Sequence, residues 1–454
     1  MSVSSKTATE SSSVWSSQTI FIMAAVGSAV GLGNLWKFPY IAGENGGGAF
    51  VLVYLACVLL VGLPVLMAEI SLGRRGAASP PEAMRKLATE NGASKIWWLL
   101  GFNGILAGVL ILSFYTVIAG WAGAYFIDSL KGTFNNINAE QAGLHFDGLI
   151  SSPLTLLFWH TVIMLATIVV VAKGLKNGIE KAIIYMMPVL LILLLILLGY
   201  AMTLSGFGQS VSFLFEPNFS KLTWNAVLIA MGHAFFTLSI GLGTMMVYGS
   251  YLSKKHSIVK ASIWISFADT LVALIAGMII FSIVFSNGLE AGSGPGLLFQ
   301  TLPVAFGQMM GGWFFGTLFF GLVVIAAFSS AISLIEPAIS WLIDRWNMTR
   351  IKATWLLGGL TWLVGVGSVL SFNDWSEVHL LEGKTIFDTI DFITTNIMLP
   401  LGGLFMAIFF GWLLTKKQVQ DELNLKKVKL VIFLNVLKYI TPIAVSIVFV
   451  SNLL

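Results

Sequence analysis

The chain has 454 residues, 57% hydrophobic and 10% charged, with mean hydropathy +0.89. Roughly a quarter of an ordinary soluble domain is charged, so a large soluble enzyme is excluded. The net charge of +4 points to no nucleic-acid partner, and the single cysteine, Cys57, excludes a disulfide framework or a cysteine-based zinc or iron–sulfur site.

In chain order, residues 1–17 are Ser-rich and polar, without the charged start and short apolar core of a removable signal peptide; they read as a cytoplasmic tail. A bilayer crossing needs about 20 mainly apolar residues. Eleven windows qualify: 18–40, 50–73, 97–127, 154–172, 182–204, 223–252, 259–286, 313–343, 353–371, 389–414 and 430–452. This predicts an all-α membrane protein in a lipid bilayer. Segments 131–153 and 287–296 read as loops or short amphipathic lids, and no soluble domain is left over.

Basic residues gather in alternate connections. One set holds Lys6; Arg74, Arg75, Arg85, Lys86 and Lys95; Lys173, Lys176 and Lys181; Lys254, Lys255 and Lys260; Arg345, Arg350 and Lys352; and Lys416, Lys417, Lys426, Lys427 and Lys429. The other holds only Lys131, Lys221 and Lys384. By the positive-inside rule the amino terminus is cytoplasmic, and eleven crossings put the carboxyl terminus outside.

The first span contains Gly31-Leu32-Gly33 beside Ser28, Asn34 and Lys37; the sixth contains Gly241-Leu242-Gly243 beside His233, Thr237 and Ser239. Small residues in membrane helices often serve close packing alone. Paired interruptions in two halves of opposite orientation also point to a midplane transport site, where unpaired carbonyls can ligate a dehydrated cation. Other candidates are Asp269 in the seventh span and Ser329-Ser330 in the eighth. A serine pair can equally bond back to the preceding turn, whereas an acid in mid-span is functional by default. Glu69 and Glu336 read as structural braces.

The runs GSAVGLGNLWKFPY at 27–40, ENGGGAF at 44–50 and FFTLSIGLG at 235–243, with Ser329-Ser330 and KYITP at 438–442, resemble the neurotransmitter:sodium symporter family. The likeness extends from Trp15 through the chain and is to the bacterial, leucine-transporter-like amino-acid branch. The broken-helix rule was itself drawn in part from this family. The resemblance implies a 5+5 inverted repeat with unwound first and sixth helices. The halves would be 18–204 and 223–414, followed by the last span and outer end at 430–454.

It also implies two sodium ions as cofactors. One would be held by Ala29, Asn34, Thr237 and Asp269, with the substrate carboxylate; the other by Gly27, Val30, Ala326, Ser329 and Ser330. A small amino-acid substrate would lie against Ala29, Gly31, Leu32, Gly33, Thr237 and Ser330, with Tyr115 donating to its carboxylate. Its side chain would meet Ile111, Phe236, Ser239, Leu242, Ser333 and Leu334. Gly31 stands where monoamine transporters have an aspartate, which favours a substrate bringing its own carboxylate. The apolar walls favour a neutral, large hydrophobic side chain.

Expected outer gates are Phe236 and a Lys37–Asp391 latch through water; inner gates are Trp15, Tyr251 and Asp344. Lys37 replaces the usual arginine and lacks its bidentate fork, and Ser12 stands where an inner-gate arginine is usual. Gly178 and Pro188 match the fifth-span motif whose unwinding admits water to the second sodium. Asp269 replaces a common asparagine and Ala273 a serine of chloride-dependent members, so Asp269 would supply chloride's charge. No phosphate loop, His-Glu-x-x-His or Gly-x-Ser-x-Gly motif is present, so no enzyme is implied. The competing functions are an amino-acid sensor that binds without transport and an ion channel.

Overall fold

The computed structural model describes residues 14–289 and 294–451; Lys6 and Ser12 lie outside the described residues. Among the described residues, nine helices are long and apolar enough to cross a membrane, from Gly48–Gly76 to Lys427–Ser451. A bent pair, Gln18–Ala29 and Gly33–Glu44, with 51° between its parts, makes ten. Where the sequence places a span at 223–252, the chain forms two pieces, Trp224–Thr237 and Thr244–Ser250. Each is too short to cross alone.

Helices begin where side chains satisfy amides that have no intrahelical acceptor. Ser17 accepts from Ile20 N, Thr223 from Ala226 N and Ser257 from Lys260 N. The connection drawn at 131–153 contains a helix, Ala139–Ile150, opened by a reciprocal Asn138/Gln141 capping box. Further connecting helices are Pro80–Glu90, Phe207–Phe215 and Lys416–Leu423. A hairpin pairs His379–Leu381 with Lys384–Thr385.

Burial sorts the spans. The apolar window of Lys95–Leu130 is 83% buried and that of Leu175–Ala201 only 22%, so the third span is central and the fifth lies at the rim. The third packs along the eighth, Gly312–Trp346.

Both interruptions have local causes. Val30 turns extended (φ −70°, ψ 111°) and stops the first half-helix at Ala29; helical structure resumes with a π turn over Gly33–Lys37. In the sixth region Ser239, Gly241 and Gly243 have φ of 54°, 83° and 73°, a left-handed backbone that glycine adopts freely. The Glu69 carboxylate accepts from Gly241 N at 3.0 Å and Gly243 N at 3.1 Å, bracing the break. Glu336 binds side chains instead: the Arg350 guanidinium through both oxygens and the Tyr251 hydroxyl at 2.9 Å.

Candidate functional site

The two breaks bring together buried oxygens from four helices. Asn34 Nδ2 lies 3.2 Å from Thr237 Oγ1, 3.0 Å from Asp269 O and 2.8 Å from Asp269 Oδ1. Thr237 Oγ1 lies 2.9 and 3.1 Å from the two Asp269 carboxylate oxygens. An amide has two N–H donors for these three acceptors. Asn34 Oδ1 accepts from Gly31 N at 3.0 Å; turning the amide half a turn would place that oxygen in the cluster, leaving an all-oxygen set of the kind a hard cation takes. Ala29 is the buried last residue of the first half-helix.

A second cluster centres on Ser330. Its Oγ lies 3.4 Å from Gly27 O, 3.3 Å from Ser28 O, 3.2 Å from Val30 O and 3.3 Å from Ala326 O. One hydroxyl proton cannot serve four carbonyls. Ser329 Oγ donates back to Ala326 O at 2.9 Å. The pair therefore does both things the sequence allowed: it bonds to the preceding turn and faces the carbonyls freed by the first break. The fifth span closes in from behind, since a Cβ on Gly27 would fall 2.9 Å from Met187 Sδ. Gly178 lies in a π-helical stretch, Leu175–Glu180, and Pro188 inside the helix that follows.

Between the clusters, a Cβ on Gly31 would lie 2.6 Å from Ser330 Oγ and 2.8 Å from Tyr115 Oη, and Tyr115 Oη accepts from Leu32 N at 3.3 Å. Ser239 Oγ donates to Ser28 O at 3.0 Å and Ser333 Oγ to Ser330 O at 2.8 Å. A cavity of ≈ 110 Å³ is lined by Leu32, Gly33, Tyr115 and Phe236 together with Lys37 and Asp391. Ile111, Leu242 and Leu334 are buried but outside that lining.

The lining adds Trp36, Tyr40, Phe114, Ile118 and Phe387, which the sequence reading missed. Phe114 and Ile118 complete an i, i+3, i+4, i+7 face with Ile111 and Tyr115 and were therefore findable. Phe387 lies in the first turn of the helix Ile386–Phe392 that opens the tenth span, just ahead of the window drawn from 389.

Among the residues expected as gates, Lys37 Nζ sits 4.6 Å from the Phe236 ring centroid, a cation–π contact. No direct ion pair joins Lys37 to Asp391, whose Oδ1 accepts from Thr395 Oγ1 at 3.0 Å. At the opposite end Trp15 Nε1 donates to Tyr248 O at 2.9 Å, and Trp15 N to Tyr251 O at 3.1 Å. Ser16 N and Oγ donate to the Glu180 carboxylate at 2.9 and 2.7 Å, a tie unforeseen from the sequence. Asp344 Oδ2 accepts from Ser79 N at 2.6 Å.

Apolar spans interrupted around buried oxygen clusters define a multi-pass membrane protein of the transporter class. The sodium:neurotransmitter symporter family matches residues 12–138 and 133–454, and the chain belongs to that family. It is 39% identical to a sodium-dependent transporter of Bacillus subtilis (strain 168), YhdH, over 96% of this chain and 97% of that protein. It is 35% identical to a sodium-dependent transporter of Haemophilus influenzae (strain ATCC 51907 / DSM 11121 / KW20 / Rd), over 97% and 98%. Its fold is similar to a crystal structure of MhsT in complex with L-phenylalanine, with TM-score 0.89 and 42% identity over 97% of this chain and 99% of that one.

Proposed function

We propose that this protein is a symporter that uses two sodium ions to import neutral, hydrophobic L-amino acids by alternating access, without chloride. The observation that carries the reading is the pair of under-donated oxygen clusters at the helix breaks, one around Asn34, Thr237 and Asp269 and one around Ser330. Ala29 O, Gly27 O, Val30 O, Ala326 O and Ser329 Oγ complete the two ligand sets. The amino acid lies along Gly31–Gly33, with its carboxylate at Tyr115 and its side chain toward Ile111, Phe236, Ser239, Leu242, Ser333 and Leu334. The L-phenylalanine in the MhsT complex supports a neutral, bulky substrate.

The two pieces at 224–250 count as one interrupted sixth span. This gives eleven crossings, inverted halves at 18–204 and 223–414, a cytoplasmic amino terminus and an outer carboxyl terminus. Trp15, Tyr251 and Asp344 then close the inner side; Phe236, Lys37 and Asp391 close the outer.

At about 100 mV with a tenfold sodium gradient, each ion contributes roughly 3.7 kcal/mol. Two ions sustain roughly 10⁵-fold accumulation of a zwitterion and one only about 500-fold. The test is a sodium jump on proteoliposomes with all twenty amino acids as competitors. Hydrophobic competitors are expected to block uptake, and replacing chloride by gluconate to leave it intact. Binding without sodium-driven accumulation, single-channel currents or a strong chloride requirement would contradict the proposal.

A methyl at Gly31 would press on both Ser330 Oγ and Tyr115 Oη. The variant Gly31→Ala is expected to lower the initial rate of sodium-driven uptake about tenfold or more, as overpacking at a closed site does. Uptake at matched protein content in the vesicles checks this.

A further inference from the structure

We infer that Gly104 on the third span and Gly402 on the tenth set how large a side chain the substrate pocket accepts, although neither lines it. This rests on the amino-acid symporter reading above. Residues 238–243 join the two pieces of the sixth span and, on that reading, include Leu242 among the residues that meet the substrate side chain.

A Cβ on Gly104 would lie 3.0 Å from Gly241 O, Gly243 N and Leu242 C. A Cβ on Gly402 would lie 3.0 Å from Gly241 O and 3.1 Å from Gly241 Cα. The connector thus runs between two helices, each lacking a Cβ where it approaches. All these neighbours are backbone atoms, which cannot swing aside as the end of a side chain can.

The flanking helices are themselves tied together, because Asn103 Nδ2 donates to Met398 O at 2.9 Å. A methyl added at either glycine therefore displaces the connector rather than widening the gap. Glu69 holds Gly241 N and Gly243 N, on either side of Leu242, so Leu242 moves with a braced unit. A bulky substrate side chain needs Leu242 to lie as far back as the connector's close fit against these two glycines allows; a small one does not. Glycine at 104 and 402 permits that close fit.

The experiment measures sodium-dependent binding of radiolabelled L-leucine to the full chain in proteoliposomes, competed by L-alanine, L-valine, L-phenylalanine and L-tryptophan. Gly104→Ala and Gly402→Ala are each expected to raise the half-inhibitory concentration of tryptophan relative to alanine by about tenfold, the effect of overpacking by one methyl. Adding Leu242→Ala to Gly104→Ala should bring the ratio back. Gly359→Ala, at a site with nothing within 4 Å, should leave the ratio unchanged.

An unchanged ratio, an equal change for all four competitors, or loss of binding in both single variants would overturn the inference, because the close fit would then serve folding alone. Wild-type protein that binds no leucine with sodium would count instead against the symporter reading.

Discussion

Asp269→Ala is expected to abolish sodium-dependent amino-acid binding, weakening apparent sodium affinity by about 10²- to 10³-fold. That is the scale set by breaking a buried charge pair from one side. Asp269 is fully buried, and its side chain and carbonyl together gather the Asn34 amide and the Thr237 hydroxyl. Without the Asp269 carboxylate, the protein would offer a cation there only neutral dipoles in a buried region, leaving the substrate carboxylate as the one charged ligand. Asp269→Asn keeps the shape and one acceptor while removing the charge, so it separates charge from packing: it too should lose most of the affinity.

The measurement is the sodium-induced rise in melting temperature, which follows the ratio of ion concentration to dissociation constant, alongside sodium-dependent leucine binding. A wild-type sodium response in both variants would remove Asp269 from the site.

What the sequence disclosed was what local composition determines. Apolar runs located the spans, and the Gly31–Gly33 and Gly241–Gly243 interruptions fall where the helices stop, because a left-handed φ or a change to extended backbone is decided over a few residues. Span edges moved slightly: the third, drawn at 97–127, is a helix over Trp98–Leu130.

Partnerships across the chain were not legible. Arg74 binds both the carboxylate and the carbonyl of Glu422, 348 residues away, and also His256 O. Nothing near either end announces that choice, which packing makes. Glu69 read correctly as a brace, yet its two amides could be named only once the second and sixth spans were seen side by side. The resting place of Lys37 over Phe236 was likewise not legible, because it depends on how the first and sixth spans lie together.

Glu69→Ala should be the most destabilising single change around the sixth-span break. It would leave Gly241 N and Gly243 N buried without acceptors, at about 1–3 kcal/mol each, with no water in the hydrocarbon to replace them. A loss of about 2–6 kcal/mol is therefore expected. Glu69→Gln keeps one oxygen for one amide but turns an NH2 group toward the other, so it should lose roughly half as much. Asp at 69 is shorter by one methylene and cannot reach both amides from the same backbone position.

Melting in detergent, with and without sodium, reads the effect. Glu69→Ala should lower the melting temperature by a similar amount in both conditions, because the brace belongs to the fold whether or not an ion is bound. Asp269→Ala should chiefly erase the difference between them. If Glu69→Ala melted like wild type and still bound leucine with sodium, the left-handed residues would be holding the connector unaided. The two hydrogen bonds to Glu69 would then be a consequence of the break, not its support.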